Sequence, residues 1–543
     1  MSRGPDNEDL FVDILVVRSS QDTQDEGEPS KPSAVFVHTC GLHGVEGYVG
    51  SAIQRYLLQQ DDFLQQLAGL QPGQMVVMAH ALNPHGMAWW ERFNENNVDL
   101  NRNCVTVPGT AQENSQKFHE LTSKPYTEYR ELDGLMNPPA IGACDCFPIK
   151  AACAIMQYGI PHLKRASVSG QHVKQDGIFY GGASLQESVA LFLEQLQALG
   201  VSRSNPRLQR LTHIDVHSGL GESAQESLLV GPGCPVALLR SCVGVLSEGH
   251  DAAADPSKFK VQPTRTDGVA YPMYGTLNAA VSLLAGPLPP ALLATAVQAA
   301  PGMAGEEEFA YPPSAPPTDS ESTHVSHDVS EIATVVDGSA AQVAEVGAPR
   351  GSECVKMCLA QEFGTLAPAD VLRSLRALNA AMYGGGAGDG TRAEVARGAP
   401  ERTAVLKAFF VNTVAWKTAM LAKGQATLAQ LMAATFDDAI FQQHLAAIGI
   451  AAGACGVVAT RAVEAPAEET QAAGSAGESK TPETTARAAS ILSEHVPAAD
   501  VGFDSTRQAE HAGAGVSEYE DAIRAVQSSA TQGSVASADR TAI

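Results

Sequence analysis

Several absences narrow the field at once. No apolar run of roughly 18 or more residues occurs, which argues against a membrane-spanning helix. The opening stretch MSRGPDNEDLFVD is polar and acidic and has no apolar segment, so no signal peptide is expected. Cysteine is sparse and scattered. Only Cys144/Cys146 and Cys354/Cys358 stand close together among ten, and neither spacing is that of a zinc ribbon or a disulfide framework. Reduced thiols in a cytoplasmic protein are the expectation. Basic residues are in short supply, 36 Lys and Arg against 60 Asp and Glu, for a net charge of -24. That balance argues against nucleic acid and anionic membrane as partners. It does not restrict the substrate, because a locally positive pocket can sit inside an acidic protein. No internal repeat is visible.

What is present suits a large soluble fold. The 543 residues are 44% hydrophobic, much of that alanine, and length alone suggests more than one domain. From about Leu10 to Ala285 strands alternate with helices: LFVDILVV, SAVFVHT, QMVVMAHALNP and LTHIDVHSG read as strands, and SLQESVALFLEQLQALG as an amphipathic helix. This alternation favours an α/β fold with a mostly parallel sheet. Residues 286–349 turn to Ala, Pro, Ser and acidic residues and read as a disordered insertion. Order resumes with the strand CVKMCLAQEFGT and the helix PADVLRSLRALNAAMY, followed by helical stretches at 403–422 and 427–450. A catalytic domain is thus expected over 8–450. Residues 463–543 have too few large apolar residues to offset ordering entropy and read as a disordered tail.

Four stretches carry chemistry. In HTCGLHGVEGYVG, after the strand SAVFV, His43 and Glu46 stand at i and i+3, so a helical turn lets both reach one ion. Alone, the pair is as easily a loop histidine and a solvated glutamate. A catalytic zinc needs three protein ligands and an open position. THIDVHSGLG offers the third: His213, Asp215 and His217 share one strand face, and His217 precedes a glycine-rich break. Asp215 can hold the tautomer of a ligating imidazole, while His213 can equally be a structural histidine. In AWWERFNENNVDLNRN, Arg92 and the Asn101–Arg102 pair offer groups suited to a carboxylate, although a surface ion pair is the plainer reading. Glu362 ends the apolar strand of LAQEFGT, where an unpartnered carboxylate is costly.

In this order, H-x-x-E, N-R, D-x-H-S and a late strand-end glutamate, the chain resembles the zinc carboxypeptidase superfamily, which includes aspartoacylase- and succinylglutamate desuccinylase-like deacylases. GLHGVEGYVGSAIQ, ALNPHGMAW, NVDLNRN, GIFYGG and EFGT resemble still more closely an uncharacterised bacterial-type branch of metallopeptidase-like proteins, over about Leu10 to Leu431. The resemblance implies a doubly wound α/β fold with a mixed eight-stranded sheet. It assigns one zinc to His43, Glu46 and His217, a substrate-carboxylate clamp to Arg102 with Asn101, oxyanion stabilisation to Arg92 and the general base to Glu362. The implied activity is hydrolysis of an amide bond next to a free carboxylate, in a peptide or small molecule. An N-acyl amino acid deacylase and a non-catalytic zinc- or peptide-binding protein are the alternatives.

Two departures stand out. The branch often has two basic residues where this chain has WWERF, so Glu91 beside Arg92 leaves the pocket's charge open. The superfamily's peptidases also use a tyrosine before the base; Tyr271 and Tyr274 in VAYPMYGT both qualify, and Tyr180 reads as structural.

Overall fold

The computed structural model describes residues 3–23, 31–105, 111–123, 127–142, 145–230 (apart from 161, 164–165 and 167–168), 234–243, 260–263, 275–292, 353–384, 392–451 and 536–542. All belong to one compact unit drawn from residues 1–457 and 522–543.

The centre of the molecule is a sheet of eight strands: β1 Asp13–Ser19, β2 Ala34–Cys40, β3 Gln74–His80, β4 Arg210–Ser218, β5 Glu226–Val230, β6 Lys260–Pro263, β7 Val355–Phe363 and β8 Ala536–Ala542. Their order is β6-β5-β7-β4-β2-β3-β1-β8. β3, β2, β4 and β7 run parallel, whereas β1 and β5 are antiparallel to their inner neighbours, so the sheet is mixed. β2, β4, β5 and β7 are buried along their whole length, as strands with helices on both faces must be.

One face packs against α2 (Glu187–Ala198) and α3 (Leu277–Leu284). Their Phe192, Leu193, Leu277 and Val281 interlock with Val35, Val37 and Leu211 of the strands. Against the other face lie α1 (Gly47–Leu57) and α6 (Val414–Phe436). A second apolar cluster, including Trp90, Phe93, Phe179 and Phe409, draws α4 (Pro368–Tyr383) and α5 (Pro400–Phe409) against the loops at one end of the sheet.

The order of the strands decides where a site can form. From β2 the chain moves outward to β3, then crosses back to lay β4 on the other side of β2. The loops after β2 and β4 therefore diverge at the carboxyl ends of these two strands, the place where open α/β sheets form ligand crevices. His43 follows β2, and His217 lies at the end of β4.

The structure moves some expected boundaries. Residues 286–292, read as the start of the insertion, belong to the core: Leu288 and Leu292 are buried, and the Cys354 amide donates to the Pro287 carbonyl at 3.0 Å. The two helical stretches at 403–422 and 427–450 are three helices, α5, α6 and α7 (Asp438–Ala447). Thr413 and Asp437 set the breaks, each accepting a backbone N–H as a helix cap. Helices at Ala111–Thr122 and Phe147–Tyr158 were not anticipated. Most of the insertion and of the tail lies outside the described residues. Within the tail, however, residues 536–542 form β8, paired antiparallel with β1 from Asp13 to Ser19. An edge strand is held by backbone hydrogen bonds, so a sequence poor in large apolar residues can supply one.

Candidate metal centre

β2 ends at Cys40, and the chain turns through Gly41 at φ +73°, where a side chain would be strained. Gly44 opens a short 3-10 turn, Gly44–Glu46, that presses against Gly86; a β-carbon there would lie 2.2 Å from the Gly86 carbonyl carbon. The turn is fastened by the Gly44 and Val45 amides, which donate to the Arg92 and Glu91 carbonyls at 3.2 and 2.8 Å. This fastening aims His43 and Glu46 at one point, above the end of β4.

Three ligand side chains meet there. His43 Nδ1 lies 3.0 Å from Glu46 Oε1, His217 Nδ1 lies 3.0 Å from Glu46 Oε2, and the two Nδ1 atoms are 3.1 Å apart. All three residues are at least 97% buried. Donors about 2.0–2.2 Å from a tetrahedral zinc lie roughly 3.4 Å from one another, close to the spacing seen here. The far sides of both rings meet carboxylates: His217 Nε2 reaches Asp215 Oδ2 at 2.8 Å, and His43 Nε2 reaches Asp99 Oδ1 at 3.0 Å. Carboxylates thus stand behind both rings while the two Nδ1 atoms face inward, the arrangement of carboxylate-supported metal ligands. The set fits a divalent ion. Among the described residues this is the cluster of His, Cys and acidic side chains able to hold one.

Arg92 sits against the same group. Its Nη1 donates to Glu46 Oε1 at 2.6 Å, its Nε to Asp99 Oδ2 at 3.2 Å, and its Nη2 lies 2.9 Å from His43 Nε2. Phe179 and Phe409 flank the guanidinium, with ring centres 5.7 and 5.9 Å away. Asn101 Nδ2 lies 3.4 Å from His217 Nε2, and Asn101 Oδ1 accepts from the Leu277 amide at 3.1 Å. Arg102 is buried and donates to the Asn101 carbonyl at 2.7 Å. Glu362 pairs in register with His217 across β4 and β7, and its Oε1 accepts from the Leu220 amide at 2.8 Å.

These surroundings set the charges. Burial opposes ionisation of Glu46, but His43 and Arg92 outweigh it and hold the carboxyl well below its usual range. Asp99 is likewise held low by Arg92 and His43 against the cost of burial. Burial also disfavours a charged His217 ring, yet Asp215 and Glu46 push it well above the usual histidine value. Glu362 goes the other way: burial first, then the neighbouring Glu46 charge, raises it to about 8.

Glu91 does not enter the pocket. Its carboxylate turns away to Arg392 and to Arg402 Nη1, the latter at 2.5 Å, with His85 Nε2 at 3.7 Å. Opposed by burial, the His85 contact and the two arginines keep it ionised. Tyr271 and Tyr274 lie outside the described residues. Tyr180 is buried in the main core, and its carbonyl accepts the Asp99 amide at 2.7 Å, a structural role. Asp99 itself was not anticipated. The signal was present: two residues before Asn101, it caps the turn Leu100–Asn103 by accepting the Asn101 amide.

The fold and the site define an α/β protein with a buried His–Glu–His cluster suited to a divalent metal. Residues 1–235 match the profile of a family described as "Protein of unknown function (DUF2817)". A search of curated proteins finds no match. Among solved structures, thrombin activatable fibrinolysis inhibitor (TAFI) is similar at 11% identity and a TM-score of 0.28. Carboxypeptidase A from Helicoverpa armigera is similar at 13% identity and a TM-score of 0.26. Each alignment covers 52% of this chain and 56% of the other, so the match spans little more than half of those proteins.

Proposed function

We propose that this chain is a zinc-dependent hydrolase that cleaves an amide bond next to a free carboxylate. The observation that carries the reading is the convergence of His43 Nδ1, Glu46 and His217 Nδ1 within about 3 Å, with Asp99 and Asp215 behind the two rings. A zinc ion held there would lower the pKa of a water toward neutrality and polarise a carbonyl. Glu362, beside His217, accepts the proton from the attacking water and passes it to the nitrogen that leaves as the C–N bond breaks. Arg92 stands next to Glu46 and supplies positive charge for the oxygen that becomes negative. Asn101 and Arg102 bind the substrate carboxylate. With Glu91 neutralised by Arg392 and Arg402, Arg92 and Arg102 are the charges that greet an anionic substrate.

The test is hydrolysis of C-terminal peptides and of N-acyl amino acids by the purified chain, with and without chelator. Cleavage in either set that a chelator abolishes and zinc restores is expected; the set cleaved separates peptidase from deacylase. Cleavage indifferent to chelator would overturn the reading. Zinc binding without turnover on any amide would leave a binding protein.

A further inference from the structure

Behind the cluster runs a line of buried side-chain hydrogen bonds that the proposed reaction does not use. Thr39 pairs in register with Asp215 across the parallel strands β2 and β4. Its hydroxyl donates to Asp215 Oδ1 at 2.7 Å and lies 3.0 Å from His213 Nε2. A hydroxyl carries one proton, so the ring must be the donor in the second contact. The other Asp215 oxygen takes His217 Nε2 at 2.8 Å. The line therefore reads His213 to Thr39 to Asp215, met from the far side by His217, and each link donates toward the carboxylate.

Its position makes a purely packing role a poor account. Thr39, His213 and Asp215 are fully buried on the face where Val35, Val37 and Leu211 are apolar. Polar groups are costly there unless bonded. With a donor on each oxygen, the Asp215 carboxylate cannot turn, and the imidazole of His217 is pinned with Nδ1 toward His43 and Glu46. Removing the hydroxyl frees one oxygen and, through it, the ring.

We infer that Thr39 and His213 are positioning residues for the metal: they orient His217 through Asp215 without touching the ion. The inference rests on His43, Glu46 and His217 being the metal ligands. The experiment titrates zinc into the metal-free full-length chain against a chromogenic chelator, for the parent, Thr39→Val, Thr39→Ser, His213→Leu, His213→Gln and His217→Ala. Zinc affinity in Thr39→Val is expected to fall roughly 10-fold, the low end of what loss of a partner directly behind a ligating histidine costs. Thr39→Ser, which restores the hydroxyl, stays within a few-fold of the parent. The Co(II) absorption spectrum should change in Thr39→Val and not in Thr39→Ser. Should Thr39→Val not fold, the second pair decides alike: His213→Leu weakened, and His213→Gln, which keeps an N–H, close to the parent. Parent-like affinity in Thr39→Val or His213→Leu, alongside zinc loss in His217→Ala, overturns the relay and leaves the metal site standing. A parent chain that binds no zinc overturns both.

Discussion

Glu91 and Arg92 are neighbours in the chain, and each lies in a cluster of buried charge. Around Glu91 one carboxylate faces two guanidinium groups, Arg392 and Arg402, and His85. Around Arg92, three carboxylates, Glu46, Asp99 and Glu362, face two guanidinium groups, Arg92 and Arg102, and a fourth, Asp215, lies behind His217. The first group satisfies its acid from within the chain and links the loop after β3 to the segments that carry Arg392 and Arg402. The second is acid-rich by two charges, which a divalent cation matches. Buried charge thus differs one residue apart: around Glu91 arginines outnumber the acid and tie segments together, whereas around Arg92 acids outnumber arginines and suit a cation.

The sharpest way to break this contrast is to remove a ligand from one cluster only. His43→Ala and His217→Ala should each lose their zinc, read by metal analysis of the purified proteins. Parent-level zinc in both would remove the distinction. Next in size, Glu362→Gln keeps the shape and loses the basicity. Zinc content should stay normal while turnover on a confirmed substrate falls by roughly 10²–10⁴-fold, the usual worth of a general base. A rate close to the parent's would take Glu362 out of the chemistry.

The Glu91 cluster predicts the opposite pattern. Glu91→Ala leaves Arg392 and Arg402 without their acid and should cost about 3–5 kcal/mol of stability, as broken buried pairs do. Its zinc stoichiometry should not change. Chemical denaturation and metal analysis of the same sample check both halves, and a zinc deficit at full stability would show that Glu91 belongs to the metal site after all. The smallest effect is expected from ending the chain at residue 452. That truncation uncovers the β1 edge by removing β8, so the melting temperature should drop by only a few degrees with zinc retained. A large drop would give the tail a structural weight that a single edge strand does not explain.

How much of this was legible in the sequence follows from where the information resides. His43 and Glu46 share one turn, and His217 and Asp215 one strand face, so local spacing shows them as pairs. The strand-and-helix alternation likewise marks the central sheet. What spacing cannot show is register. Thr39 looks like any strand threonine until β2 and β4 align it with Asp215, and Asp99 like any helix cap until it reaches His43. Glu91 misleads for the same reason: adjacency to Arg92 suggests a shared pocket, while Arg392 and Arg402, some 300 residues later, decide where its carboxylate points. The strand at 536–542 escapes composition altogether, because its pairing is made by the backbone.

The charge surplus around Arg92 also has a consequence for acidity as a control on loading. In the ion-free chain, His217, raised well above the usual histidine value, and Glu362, raised to about 8, both carry protons at neutral pH. A dication held by His217 and set beside Glu362 competes with those protons, so uptake at pH 7 should release protons into the buffer. The sign is fixed: below these pKa values protons compete with the ion, and affinity weakens as the solution is acidified. Calorimetric titration in two buffers of different ionisation enthalpy would count the protons released, and equal heats in both would show that the pocket takes up its ion without them.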